Sequence, residues 1–261
     1  MIDHVSFTQI NTYLICPLKY KFQYIDRIEW QFVPSGLLFG GCLHKSLEHY
    51  YNGRMENRNI SFEELYSIFE GSWIKEQNGK AVFYSNGETD KKLFETAGGL
   101  LKVFLTKTNP NKILAVEKDF EVELKHIETE EKIPVPLRGK IDLIEKESDG
   151  TVIIVDHKTA AKKYTKDKIS QDMQMTCYSY VTYFYKMHEK NNVKFRFDVF
   201  IKSKNPDMIP YYTERTLNDY SNLYLITKNF LKGIENNVFY PNKGFFCGDC
   251  VFKEPCKNWR G

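Results

Sequence analysis

The sequence predicts an α/β protein whose mixed central sheet is flanked by helices. Three observations carry this. The first third of the chain has helical periodicity and helix caps. Residues 113–159 then alternate, or run continuously apolar, as strands do. A long helical stretch separates those strands from two more, the signature of a layered α/β fold.

Taken in order, Ser6 and Gln9 have the spacing of a capping box, so a helix starts there and runs to Cys16, where Pro17 interrupts it. Residues 19–26 read as a second short helix. Gly40-Gly41 precedes a helix over 42–51, closed by Asn52-Gly53, and further helices cover 61–77 and 89–107. Residues 113–125 place Val116, Phe120, Val122 and Leu124 on one side of a strand and four acids on the other. Strands over 136–146 and 151–159 meet near Asp149-Gly150, a hairpin signal. A helix over 168–190 follows, then strands over 195–202 and 210–215 around Asn205-Pro206-Asp207. The last helix covers 217–235, and the tail 239–261 is loop-like and rich in Cys, Gly and Lys. The expected organisation is one domain over 1–261: a mainly helical N-terminal lobe (1–110), a core (111–216), and a C-terminal helix with a cysteine-rich tail (217–261).

At 261 residues, 42% hydrophobic and 27% charged, the chain is a folded protein rather than a disordered one. Its net charge of +3 permits a local basic groove without identifying a nucleic-acid partner. No apolar run reaches membrane-spanning length, and residues 1–9 lack a secretion signal, so a cytoplasmic, reducing setting is expected. There, six cysteines point to a metal or redox centre rather than to disulfides. The absence of a Gly-x-x-x-x-Gly-Lys-Ser/Thr loop argues against nucleotide binding.

The chemistry concentrates in Gly139-Lys140-Ile141-Asp142 and Ile153-Ile154-Val155-Asp156-His157-Lys158-Thr159. Alternate strand residues share a face, so Asp156 and Lys158 point together, with Asp142 on the neighbouring strand. Two carboxylates meeting across a hairpin suit Mg²⁺ or Mn²⁺. A lysine beside them can position water or stabilise charge developing on a phosphate. The His157 carbonyl offers another oxygen. For the aspartates to share a face, the hairpin needs a three-residue loop or a bulge, because a plain two-residue turn would set them on opposite faces. His44, with Glu48 one helical turn on, can complete a metal shell. Gln174 and Tyr178 lie one turn apart on the helix after the Asp-x-Lys strand and can face the same site. Glu117 shares its face with three other acids and is a supporting residue only.

Cys247, Cys250 and Cys256 form a C-x₂-C-x₅-C cluster, and Cys16 stands alone before Pro17. Four thiolates with one distant member suit a [4Fe–4S] cluster. Zinc is the rival, although structural zinc usually shows two close pairs. Such a centre would tie the first helix to the tail. Cys42 and Cys177 read as small buried hydrophobes.

Together these residues resemble the RecB-type branch of the PD-(D/E)xK nucleases, especially its iron–sulfur members, which include CRISPR-adaptation nucleases and nuclease domains of recombinational repair complexes. The resemblance spans Cys16-Pro17, the His44 helix, residues 138–142 and 156–159, Gln174 with Tyr178, and Cys247 to Cys256. It implies a restriction-endonuclease-like core and metal-dependent hydrolysis of DNA, as an exonuclease on single strands or DNA ends. His44, Asp142 and Asp156 would bind the metal, Lys158 would be the catalytic lysine, and Gln174 and Tyr178 would form the helix motif behind them. A helicase, repair or CRISPR protein would be the partner. Two other readings remain: a DNA-binding or assembly subunit without catalysis, and a redox protein whose acids are structural.

Overall fold

A computed structural model describes residues 2–85, 87–189 and 192–261. In chain order the elements are α1 (Phe7–Ile15), α2 (Pro17–Tyr20), a π-helical turn (Lys21–Ile25), β1 (Val33–Pro34), α3 (Ser35–Met55), α4 (Phe62–Gln77), β2 (Val82–Phe83), α5 (Asp90–Lys107), β3 (Lys112–Val122), β4 (Leu137–Lys146), β5 (Val152–Ala160), α6 (Lys166–Ser170), α7 (Met173–Phe184), β6 (Val193–Ile201), β7 (Asp207–Thr213), α8 (Leu217–Glu235) and α9 (Lys253–Asn258). They divide into two compact units. The larger comprises Val33–Asp119 and Lys140–Glu214; the other comprises Met1–Phe32, Phe120–Gly139 and Arg215–Gly261. No helix among the described residues is long and apolar enough to cross a membrane.

The main sheet has the order β3-β4-β5-β6-β7. β4 and β5 are antiparallel, β5 and β6 parallel, and β6 and β7 antiparallel. It is mixed because α6 and α7 carry the chain across between β5 and β6, as a parallel pair requires. Leu143, Ile153, Val155 and Phe200 share one core with Leu43 and Leu47 of α3, Phe69 of α4, and Leu100, Leu101 and Phe104 of α5. Burying each such side chain contributes about 1.5–3 kcal/mol. Alternate residues of β5, including Asp156 and Lys158, therefore point to the opposite face, where α7 lies.

The β4–β5 hairpin closes as its charge pattern requires. Glu147 N–H donates to the Thr151 carbonyl at 2.8 Å, leaving a three-residue loop in which Gly150 adopts a left-handed φ of 94°. The register pairs Leu143 with Val155 and Glu145 with Ile153. Continued by one residue, it sets Asp142 opposite Asp156 on the same face.

In the second unit, the expected capping box forms between Ser6 and Gln9. α1 meets α8 through the edge-on contact of Tyr13 with Phe230, ring centroids 5.3 Å apart. Val5 bridges Leu137 in parallel. A small core of Leu18, Phe22, Val251 and Phe252 gathers Cys16, Cys250 and Cys256 around it.

Several elements depart from the sequence-based expectation. The helix expected over 42–51 begins at Ser35 and continues to Met55, through four glycines. Packing overrides glycine's low helix propensity there, and Gly53 sits so close to Ile60 that a Cβ would meet its side chain at 2.4 Å. The single helix expected over 168–190 is broken into α6 and α7, because Asp172 caps a new helix by accepting Met175 N–H at 2.8 Å. Its last expected residue, 190, lies outside the described residues. The short helix expected over 19–26 is α2 followed by the π-helical turn.

Gly139 is covered by Phe120, whose ring would lie 2.5 Å from an added Cβ. Replacing Gly139 with alanine should therefore cost about 1–3 kcal/mol through overpacking. Calorimetry should show a lowered Tm, with much of the loss recovered when Phe120 is also cut back to leucine.

Candidate active site

The site lies in the larger unit, where β4 and β5 part. The ladder ends at Leu143–Val155. Beyond it, the freed His157 N–H donates to Asp142 Oδ2 at 2.7 Å, so a carboxylate replaces a ladder bond. The same oxygen lies 3.6 Å from Nδ1 of both His44 and His157. The His157 ring is buried and stacks on Tyr51 at 5.6 Å. His44 reaches in from α3, its Nε2 2.9 Å from the His157 carbonyl oxygen. Burial lowers the His44 pKa against the opposing pull of the Asp142 charge, a shift toward the neutral imidazole that a metal ligand requires.

Glu117 joins them. His44, Glu117 and Asp142 present ligand atoms within 4.8 Å of one another. Glu117 adopts a left-handed φ of 49° in the middle of β3. Ile113 and Val116 both pack on the same core although their positions differ in parity, so strand alternation breaks at this point and re-aims the glutamate. Burial, then the charge of Asp142 and of Glu48, raises its pKa. Glu48 itself is held by Lys45 at 2.8 Å.

Asp156 is fully buried. Lys158 Nζ lies 2.7 Å from its Oδ2 and hydrogen-bonds its Oδ1 at 2.9 Å. Burial pushes the Asp156 carboxyl up to about 7 against the pull of Lys158, and the Asp142 charge adds to the rise. Burial would raise Asp142 too, but hydrogen bonding with His157 and the positive charge of His44, His157 and Lys158 hold it at about 2. Lys158 also donates to Gln174 Oε1 at 2.7 Å. Gln174 Nε2 donates to the Tyr178 hydroxyl at 2.7 Å, and that hydroxyl donates to the Lys140 carbonyl at 2.6 Å. Tyr178 is buried, so its place is behind Gln174 rather than against a substrate.

This donor set fits a hard divalent cation. It offers carboxylates and an imidazole, and burial raises Glu117 and Asp156 against the pull of nearby lysines, a cost that a bound cation would offset. Of the residues singled out in the sequence, His44, Asp142, the His157 carbonyl, Asp156, Lys158, Gln174 and Tyr178 form one connected constellation. Glu117 is more central than its sequence context suggested. The ion-pair network of Glu145, Arg196 and Asp198 was not anticipated. Arg196 holds both Asp198 oxygens at 2.9 Å and is 3.4 Å from Glu145. Its only sequence signal was charge inside apolar strands.

The four cysteines lie in the other unit and line one cavity. Cys16 Sγ accepts N–H bonds from Lys19 (3.4 Å) and Asn242 (3.5 Å), and Cys247 Sγ accepts one from Gly244 (3.5 Å). Burial, then the proximity of Cys16, Cys250 and Cys247, raises the Cys256 thiol. Cys42 and Cys177 are buried elsewhere, pushed up to about 12 by burial.

No curated protein matches the sequence. Among solved structures, a protein from Eubacterium rectale described as a "putative exonuclease" is 12% identical, with a TM-score of 0.56 over 99% of this chain and 89% of that one; the likeness is one of fold. Another, described as SSO0001, is also 12% identical, over 94% of this chain and 92% of that one, at a TM-score of 0.40. A family model matches residues 4–257, and by that match the chain belongs to the PD-(D/E)XK nuclease superfamily.

Proposed function

We propose that the protein is a divalent-metal-dependent deoxyribonuclease, acting as an exonuclease on single strands or DNA ends, and that residues 1–261 serve as one nuclease domain. The observation that supports this best is the ligand group His44–Glu117–Asp142 beside a lysine fixed between Asp156 and Gln174. A non-catalytic subunit would have no use for a buried lysine oriented by three successive hydrogen bonds.

His44, Glu117, Asp142 and the His157 carbonyl would hold Mg²⁺ or Mn²⁺, with Asp156 beside them. Such an ion supplies Lewis-acid polarisation of a phosphoryl oxygen and acidifies water. The chain does the rest. Lys158 stays protonated despite burial because Asp156 and Asp142 raise its pKa. Its ammonium is therefore a fixed positive charge for a phosphate whose negative charge grows during hydrolysis. Gln174 and Tyr178 keep it from collapsing wholly onto Asp156.

The four cysteines are best read as the ligands of a structural [4Fe–4S] cluster. N–H···S bonds of the kind made to Cys16 and Cys247 are what thiolate ligands of such clusters receive.

Three outcomes are expected. Lys158→Ala should lower cleavage of labelled DNA in Mn²⁺ by at least about 10²-fold, assayed at a temperature where its circular dichroism shows it still folded; a wild type that leaves single- and double-stranded DNA intact under anaerobic conditions refutes the enzyme reading. Mn²⁺ or Mg²⁺ at about 100 times its Kd should stabilise the wild type by about 2.7 kcal/mol. That gain should vanish in His44→Ala and Glu117→Gln, as read by thermal shift. Anaerobically purified protein should be brown and contain about four irons per chain, and Cys16→Ser should lose the colour; a colourless protein carrying zinc would overturn the cluster.

A further inference from the structure

Beyond the ligand group, the larger unit carries a concentration of cations that the catalytic constellation does not use. β5 and β6 run parallel, and their last pair is Ala160–Ile201. The connections leaving these two carboxyl ends therefore start side by side, with Lys202 N–H donating to the Ala160 carbonyl at 2.7 Å. One, residues 161–172, carries Lys162, Lys163, Lys166 and Lys168, the other Lys202 and Lys204, against two acids, Asp167 and Asp172. Among the described residues no carboxylate pairs with any of these six amines within 4.0 Å. Elsewhere in this unit Lys45, Lys107, Lys140 and Lys194 have carboxylate partners, while other lysines unpaired among the described residues, such as Lys75, Lys91, Lys102 and Lys112, lie on other elements, so what sets the six apart is their gathering on two adjoining connections.

Two of the six are held in place. Lys168 Nζ lies 3.8 Å from the centroid of the Tyr164 ring, and Lys202 Nζ lies 5.0 Å from that of Phe39. Tyr164 is stacked on Tyr211 at 6.1 Å and meets Phe197 edge-on at 6.2 Å, so Lys168 stands on an aromatic shelf. With the lysine on its ring and Tyr211 stacked against it, Tyr164 is not offered to a nucleobase. The shelf presents a charge, and the chemistry it fits is phosphate.

Its position relative to Lys158 follows from the chain. β5 leaves the site at Lys158, and α7 returns to it at Gln174, which bonds Lys158. Residues 161–172 span that gap. The Asp172 carboxylate acts electrostatically on Asp156, Lys158, Tyr164 and Lys168 alike, and Lys158 on Lys168.

We propose that the carboxyl ends of β5 and β6 form a track for the phosphodiester backbone of one nucleic-acid strand, with Lys168 holding a phosphate beside the scissile one and Lys162, Lys163, Lys202 and Lys204 following the strand away. This rests on the nuclease reading and adds the path of the substrate to it. The contacts go to phosphates, so binding is indifferent to base sequence.

The test is fluorescence anisotropy of the full-length protein with a labelled single-stranded oligonucleotide, without divalent cation, across a salt series. Lys168→Ala alone, and Lys162, Lys163, Lys202 and Lys204 together changed to alanine, are compared with a control that loses equal charge at Lys75, Lys91, Lys102 and Lys112. The fourfold track variant should bind about tenfold more weakly or worse, and lose about 0.7 of log–log salt slope for each phosphate contact removed. Lys168→Ala should lose one such contact for every sequence tested. The control should stay within about twofold of wild type. Equal weakening by the control, or a track variant with wild-type affinity and slope, overturns the track while leaving Lys158-dependent cleavage standing. A wild type that neither binds nor cuts overturns the nuclease reading and the track together.

Discussion

The pairing register of β4 with β5 is the constraint on which the site depends. Side chains in a sheet alternate with a period of two, so a one-residue slip would turn Asp142 toward the core that Leu143 now fills and bring Leu143 to the face of Asp156. The register is held from both ends. At the loop, Gly150 supplies a left-handed residue that few other side chains tolerate, and Asp149 Oδ1 accepts Thr151 N–H at 2.8 Å. At the far end, the Asp142 carboxylate takes the His157 N–H that the departing strand leaves free. The residue that serves the site thus also terminates the ladder.

Two acids so close cannot share one environment, and the surroundings separate them. Asp142 receives a backbone N–H and lies beside two imidazoles, and these hold its carboxyl low despite burial. Asp156 has no backbone donor and one ammonium, and burial drives its carboxyl upward. The lysine cannot discharge this imbalance alone, because Gln174 holds it from the other side and is itself held by Tyr178 and, through it, by the Lys140 carbonyl. That chain of bonds runs from β5 through α7 to β4, next to Asp142. The position of the lysine and the register of the hairpin are therefore coupled.

Much of this was legible in the sequence where local rules and burial agree. The Ser6–Gln9 capping box, the continuous apolar run before Asp156 and the loop length demanded by two aspartates on one face each follow from short-range chemistry. The elements that escaped were decided by tertiary contacts. α3 extends through Gly36, Gly40 and Gly41 because its other residues are buried in the core, which no propensity scale registers. The break at Asp172 was visible only as an acid inside an apparently helical run. Arg196 and Glu145 were marked only by charge inside apolar strands until the sheet places them 3.4 Å apart. Glu117 was hidden for a different reason: alternation assigned it to an acidic strand edge, and only a backbone irregularity removes it from that edge.

That irregularity bears on how the acids divide their work. A left-handed conformation costs a glutamate about 1–3 kcal/mol, and such strain persists only where the surroundings enforce it. The surroundings are apolar: Ile113 and Val116, which precede the irregular residue, both pack against the core, and Glu117 brings its carboxylate within 4.8 Å of ligand atoms of His44 and Asp142. Asp156 is meanwhile engaged by Lys158. A cation site built from Asp142 and Asp156 alone would have to compete with that lysine for the same oxygens. Glu117 relieves the competition, supplying the negative charge a cation needs while Asp156 keeps the ammonium in place. On the proposed reading, the strained strand and the paired lysine are two parts of one solution to holding a cation and a fixed positive charge in one site.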